Sequence, residues 1–246
     1  IIPGVQKCGT SSLFAWMSQH PDVHGSIPKE VHYFDVNYHR GESWYRSFFP
    51  VAVREGADLT VGEASPYYII HPWVPGRIHD LIPDVKLIAL LRNPTERAIS
   101  HFFHEVALGN ETLPLEEAIR AEEARIRSAW ERLSADGSFR SRAHQSFSYR
   151  QRGLYEEQLR RFHAVFSRDQ LLVLDSGALF RSPLATLSRI LEFLDVNPDF
   201  DQFSLGPKNK GAYTEKVPAR LVEELKAYFA PHNRSLFDYL GEEFEW

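Results

Sequence analysis

The sequence predicts an α/β fold with a central parallel sheet flanked by helices. Three observations point there. Strand-like and helix-like segments alternate along the chain, the pattern of a parallel sheet with crossover helices. A glycine-bearing turn, Gly4-Val5-Gln6-Lys7-Cys8-Gly9-Thr10, joins an opening strand end to a helix. The run from Lys86 to Leu91 has the apolar character of a strand buried on both faces.

The first helix is expected from about Ser11 to Gln19, where Leu13, Trp16 and Met17 are spaced for burial and Pro21 ends it. Val61-Gly62-Glu63 reads as a strand end before a turn at Ser65-Pro66. A short helix is expected over Trp73 to Leu81. After the apolar strand, Asn93 is a good N-cap and Pro94 a good first helical residue, so a helix should run to about Leu108. Leu115 to Leu133 reads as a charged amphipathic helix. Ala135 to Tyr149, rich in Ser, Arg, Gly and His, reads as a loop. Helix is expected over Leu154 to Phe166, strand over Gln170 to Leu174, and helix over Pro183 to Leu194. Asp199 to Tyr213 reads as an irregular loop and Pro218 to Tyr228 as the last helix. In this reading the loops at Lys7, Glu63 and Arg92 lie at carboxyl ends of strands, where open α/β sheets bind ligands.

Composition narrows the function classes. At 246 residues the chain has room for one or two domains; a single domain over 1–246 is the expectation. An apolar share of 43% and a charged share of 25% exclude a disordered tail, a collagen-like fibre and a small disulfide scaffold. A net charge of −5 argues against a global grip on nucleic acid. Arginine outnumbers lysine three to one, which suits bidentate hold on phosphate or sulfate. The one cysteine, Cys8, excludes an internal disulfide and a cysteine-rich zinc site, and a reducing, cytoplasmic setting is the simple expectation. No apolar stretch is long enough to cross a bilayer as a helix. The chain opens Ile1-Ile2-Pro3 and not with Met, so an upstream piece is expected to be missing.

Four segments carry candidate chemistry. The first turn would present backbone N–H groups and a helix N-terminus to an anion, with Lys7 adding charge and Thr10, Ser11 and Ser12 adding hydroxyls. Its order is not that of an ATP-binding loop, because Lys7 precedes Gly9 by two; a structural turn with a surface lysine is the bland alternative. Arg92 at a strand end and Ser100, two helical turns beyond Asn93, could clamp a phosphate, or could cap the sheet and fill a helix face. Lys208-Asn209-Lys210-Gly211 could close over an anion or be a solvated basic turn. In Lys29-Glu30-Val31-His32-Tyr33-Phe34-Asp35, an extended backbone would put Glu30 and His32 on one side, as a general base beside an imidazole or as a solvent-facing ion pair.

Taken together and in their order along the chain, the four segments resemble those of the sulfotransferases that use PAPS (3′-phosphoadenylyl sulfate). Gly4 to Leu13 resembles their 5′-phosphosulfate loop, Leu91 to Ser100 their 3′-phosphate segment, and Lys29 to Asp35 the base-bearing segment of the heparan sulfate branch. Arg152-Gly153-Leu154-Tyr155 and Lys210-Gly211 fit that branch as well. The resemblance implies a three-layer, P-loop-like fold and transfer of sulfuryl from PAPS to an acceptor hydroxyl or amine, leaving adenosine 3′,5′-bisphosphate, with no metal. It implies Lys7 at the bridging oxygens. Cys8, Gly9, Thr10, Ser11 and Ser12 would lie around the 5′-phosphate. Arg92 and Ser100 would hold the 3′-phosphate, with Tyr155, Lys208, Lys210 and Gly211 also around the nucleotide. It implies Glu30 as general base, assisted or oriented by His32, with Lys29, Tyr33, Phe34, Ser65 and Tyr67 lining the acceptor site.

Two features depart from the heparan sulfate branch. Residues 195–213 hold no cysteine, and Glu63-Ala64-Ser65-Pro66-Tyr67 replaces a lysine-bearing version. These features bring the chain closer to bacterial relatives that act on hydroxyls of polyketides or other small acceptors, and its start would suit a domain cut from a longer polypeptide. A phosphate-binding loop also leaves open a nucleotide kinase, or a nucleotide-binding module without catalysis. His101, His104 and Glu105 could face a metal together, but the spacing is not His-Glu-x-x-His.

Overall fold

The computed structural model describes residues 1–50, 59–199, 202–206 and 216–246. In chain order the first elements are α1 (Thr10–Met17), β1 (Val23–Gly25), α2 (Glu42–Arg46), β2 (Thr60–Gly62), α3 (Val74–Leu81) and β3 (Leu87–Leu91). Next come α4 (Pro94–Ala107), α5 (Leu115–Ala135), α6 (Arg142–Phe147) and α7 (Tyr155–His163). Last are β4 (Leu171–Asp175), α8 (Ser176–Arg181), α9 (Pro183–Phe193) and α10 (Ala219–Leu240). These residues group into two compact units, Ile1–Leu91 with Phe162–Asn209 and Arg92–Arg161 with Lys210–Trp246.

The first unit contains the strands. β3 pairs parallel with β4, Leu87 opposite Leu171 and Leu91 opposite Asp175. β1 pairs parallel with β2, Val23 opposite Thr60. The amino-terminal segment ties the two pairs together. Ile2 N–H donates to Glu63 O at 2.8 Å, Val5 N–H donates to Leu90 O at 3.0 Å, and Gly4 bridges Ala89 in parallel. Every residue of β3 is buried, which is why its sequence reads as an unbroken apolar run. The parallel pairing and the alternation with helices are those the sequence predicts.

The second unit is helical around an apolar core. α4 contributes Ala98, Ile99, Phe102 and Phe103, α5 contributes Leu115, Ala118 and Ile119, and α10 contributes Leu221, Leu225 and Phe229. α4 starts as the sequence predicts, with the Asn93 side chain accepting from Thr95 N–H and Glu96 N–H. Gly153 allows a close approach, since a Cβ there would lie 2.8 Å from the Phe229 ring and 3.0 Å from Pro94 Cβ.

Two expectations need correction. Ala135 to Tyr149 is not all loop, because α6 forms inside it. Ser141 Oγ caps α6 by accepting from His144 N–H at 3.1 Å, and Ser148 Oγ donates to His144 O at 2.7 Å. The last helix does not stop at Tyr228 but continues through Pro231 to Leu240. Burial of Leu221, Leu225, Phe229 and Leu236 keeps one apolar stripe going past the proline.

Candidate active site

The first loop enters α1 on left-handed backbone at Lys7 (φ 71°) and Gly9 (φ 92°). Gly9 is the N-cap of α1, and no side chain caps that helix. A helix start with no capping side chain is of the kind that suits an anion. Lys7, Gly9 and Ser11 are half-buried, while Cys8, Thr10 and Ser12 are buried. Cys8 and Ser12 are covered, while Gln6, Lys7 and Ser11 keep part of their surface exposed. Phe180 of α8 lies over Gly9, where a Cβ would meet its ring at 3.0 Å, and stands edge-on to Trp16 at 5.7 Å.

The segment from Lys29 to Asp35 forms a charged chain. Lys29 Nζ donates to Glu30 Oε1 at 2.8 Å. His32 Nε2 lies 3.3 Å from Glu30 Oε2, and His32 Nδ1 lies 2.7 Å from Asp35 Oδ2. The expected pairing of Glu30 with His32 is present, but not through an extended backbone. His32 is left-handed (φ 53°), and this bend also turns the ring toward Asp35. The Glu30 side chain is 41% exposed and that of Asp35 is fully covered.

The charges in this chain reinforce one another. Burial works against the charged form of His32, but the hydrogen bonds to Asp35 and Glu30 outweigh it and lift the imidazole to about 10. Burial pushes Glu30 up, and His32 and Lys29 together overcome it and hold the carboxyl at about 2. At neutral pH the group is therefore carboxylate, imidazolium, carboxylate, with an ammonium at one end. Arg77 closes the other end by donating to Phe34 O at 2.7 Å and Asp35 O at 3.2 Å.

The side chains expected to line an acceptor site are mostly covered. Phe34 and Ser65 have no exposed surface, and Tyr33 and Tyr67 are buried. Tyr33 stacks on Tyr45 with centroids 4.7 Å apart, and Phe34 packs edge-on against Tyr45 and Tyr68. Ser65 Oγ accepts from His32 N–H at 3.1 Å. Ser65, Tyr45 and Tyr68 thus pack and hydrogen-bond against the Glu30 segment, whereas Tyr67 stands edge-on to His71. Lys29, half-buried, stays at the surface with Glu30.

In the second unit, Arg92 reaches Glu96 with Nε at 3.1 Å and Nη2 at 2.7 Å from Oε2. Tyr155 Oη donates to Arg92 O at 2.7 Å, which fixes the backbone from which the arginine projects. Ser100 is buried on α4. Lys208, Lys210 and Gly211 lie outside the described residues. His101 is fully buried, 3.5 Å from Glu105 and edge-on to Tyr149, so it belongs to the helical core. Among the described residues no cluster of three or more His, Cys, Asp or Glu side chains is placed to hold a metal, and no helix is long and apolar enough to cross a membrane. Sequence reasoning did not single out Asp35 as a partner of His32, nor Glu63, which is 1% exposed beneath the same segment.

Residues 1–209 match the family model described as "Sulfotransferase domain". The chain belongs to the sulfotransferase family, and it is an enzyme that transfers a sulfuryl group to an acceptor hydroxyl. Among curated relatives it is 28% identical to the heparan sulfate glucosamine 3-O-sulfotransferase 6 of Mus musculus and to that of Homo sapiens, over 100% of this chain and 72% of theirs. Among solved structures, a sulfotransferase from Alicyclobacillus acidocaldarius is 32% identical, with a TM-score of 0.79 over 99% of this chain and 95% of that one. The sulfotransferase domain from the curacin biosynthetic pathway shares the fold, with a TM-score of 0.52 at 15% identity over 98% of this chain and 96% of its own. The fold is therefore the α/β, P-loop-like sulfotransferase fold.

Proposed function

We propose that the chain takes sulfuryl from PAPS and delivers it to an acceptor hydroxyl, with Glu30 as general base. The observation that carries this reading is the exposed Glu30 carboxylate, held ionised by Lys29 and an imidazolium at His32. The loop around Lys7 supports the donor side. Its uncapped helix start and its left-handed turns form a concavity suited to a phosphate, and a Cβ at Gly9 would crowd it against Phe180.

In this reading Lys7 neutralises charge on the bridging oxygen as the sulfur–oxygen bond to the phosphate breaks. Gly9 to Ser12 hold the 5′-phosphate, and Arg92 and Ser100 the 3′-phosphate, with adenosine 3′,5′-bisphosphate leaving. Stabilisation is electrostatic, by analogy with phosphoryl transfer. Glu30 receives the acceptor proton as the new oxygen–sulfur bond forms. A carboxylate of low basicity suffices, because the oxygen becomes strongly acidic as that bond forms. His32, already protonated, cannot take this proton; it orients Glu30 and is itself oriented by Asp35.

Residues 1–246 are taken as one sulfotransferase domain; the family match over 1–209 takes in the first compact unit and the Arg92–Arg161 part of the second. The proposed acceptors are hydroxyls on carbohydrates, polyketides or other small molecules. The test is transfer of labelled sulfuryl from PAPS across acceptor classes with EDTA present. Turnover is expected to persist in EDTA, to fall about 10²-fold or more in Glu30→Gln, and to vanish nearly completely in Lys7→Ala. Calorimetry should show that Glu30→Gln still binds adenosine 3′,5′-bisphosphate. Full activity of Glu30→Gln would remove the base assignment. A requirement for Mg²⁺ and a nucleoside triphosphate would replace the reading by a kinase.

A further inference from the structure

Beneath the Glu30 segment lies a buried carboxylate that the transfer chemistry does not use. Glu63 follows β2 and is 1% exposed. Its Oε2 accepts from Ser65 Oγ at 2.6 Å and its Oε1 from Tyr68 Oη at 3.0 Å, and Tyr45 hydrogen-bonds it as well. Each of the first two hydroxyls has a second task. Ser65 Oγ accepts from His32 N–H at 3.1 Å. Tyr68 Oη accepts from Tyr33 N–H at 2.8 Å and from Phe34 N–H at 3.2 Å.

A hydroxyl has one proton. When that proton points at Glu63, the oxygen's lone pairs are left for the amides above. The carboxylate therefore sets the direction of every hydrogen bond in this layer. We propose that Glu63 is a positioning residue for sulfuryl transfer, fixing the Ser65 and Tyr68 hydroxyls so that they hold the His32, Tyr33 and Phe34 amides and aim Glu30. This inference rests on Glu30 being the base.

The layer has a consequence for pH. Burial pushes Glu63 up to about 7, against the hydrogen bonds from Ser65, Tyr68 and Tyr45. The groups facing it are Tyr45, Tyr68 and Asp35. Both tyrosines are held well above their usual value by burial and by Glu63 itself, so they stay neutral donors. Glu30 at about 2 and His32 at about 10 do not titrate near neutrality. As pH falls through 7, Glu63 gains a proton, loses one acceptor site, and the hydroxyls turn.

The experiment compares Glu63→Gln, Tyr68→Phe and Glu30→Gln with the unmodified chain. It reads kcat against pH and amide hydrogen exchange. The expected result for Glu63→Gln is a tenfold or greater loss of kcat at pH 8, a small change in KM for PAPS, and loss of the rise in kcat centred near pH 7. His32, Tyr33 and Phe34 amides should exchange faster in Glu63→Gln and in Tyr68→Phe, while β3 and β4 amides keep their protection. Unchanged exchange at those three amides, or an unchanged pH profile, overturns the proposal. Should Glu63→Gln fail to fold, Tyr68→Phe carries the exchange and kcat tests alone, and equality with the unmodified chain then overturns it. Activity that survives in Glu30→Gln, with faster exchange in Glu63→Gln, would instead fault the base assignment and leave the layer standing.

Discussion

Gly9 turns the loop before α1 at φ 92°, and a Cβ there would lie 3.0 Å from two atoms of the Phe180 ring. Both facts argue against any larger residue. Gly9→Ala should cost about 1–2 kcal/mol of stability from the left-handed backbone, and should weaken adenosine 3′,5′-bisphosphate more than it destabilises the fold. Denaturant titration beside calorimetry separates the two effects. Wild-type nucleotide affinity in Gly9→Ala would show that the turn does not hold the phosphate. At this scale the sequence is legible where chemistry and spacing coincide. Lys7 sits in a glycine-bearing turn, and Glu30 and His32 lie two apart. Asp35 is harder to read, because it reaches His32 only where the backbone goes left-handed at a non-glycine residue. Glu63 is harder still, since its role depends on hydroxyls from two other positions meeting amides more than thirty residues away. The burial of Ser65, Tyr33, Phe34 and Tyr67 was likewise hidden, because aromatic and hydroxyl side chains read equally well as pocket lining or as support.

At the level of elements, α4 is where the local signals agree most. Asn93 caps the helix, Pro94 opens it, and the apolar face then packs into the core of the second unit. Asn93→Ala should lower stability by about 1 kcal/mol, the usual cost of losing an N-cap, read as a lower denaturation midpoint at unchanged denaturant slope. No change would mean that the Pro94 start and the packing hold the helix without the cap. β3, β4 and α9 were legible for a similar reason, since each is an apolar or periodic run with clear ends. β1 and α2 were missed because elements of three and five residues are too short to show a period. α6 hid in a segment of turn-forming residues, where Ser141 proved to be a cap. α10 passes the expected end at Tyr228, because Leu236 beyond Pro231 is buried and holds the helix on course.

For the whole molecule, the charged groups of both units set how stability follows pH. Burial lowers His32, but Asp35 and Glu30 more than compensate and raise it from 6.5 to about 10. Its contribution to folding is full below 6.5 and is lost as pH rises through 10. Burial lifts Glu63 from 4.5 to about 7, so its folded form favours the proton, and stability falls as pH rises between those values. Burial and the nearby Arg152 drop His144 from 6.5 to about 3; the unfolded chain then takes a proton the fold refuses, and stability falls as pH drops from 6.5. Glu30 and Glu111 are pushed up by burial but held at about 2, by His32 and Lys29 and by Arg125 with backbone amides respectively. Their contribution is present above 4.5 and lost as pH falls through 2. Between 4.5 and 6.5 Glu63 and His144 oppose each other, so the net slope there is small. Stability measured by urea unfolding should therefore decline on both sides of that window, and the alkaline decline between 6.5 and 10 should belong chiefly to His32. His32→Gln is expected to be less stable at pH 6.5 and to show a flatter alkaline limb, so that its curve approaches that of the unmodified chain near pH 10. Parallel curves across that range would mean that the imidazole is neutral in the fold. The Glu30–His32–Asp35 chain would then be a set of neutral hydrogen bonds, with His32 free to accept the acceptor proton itself.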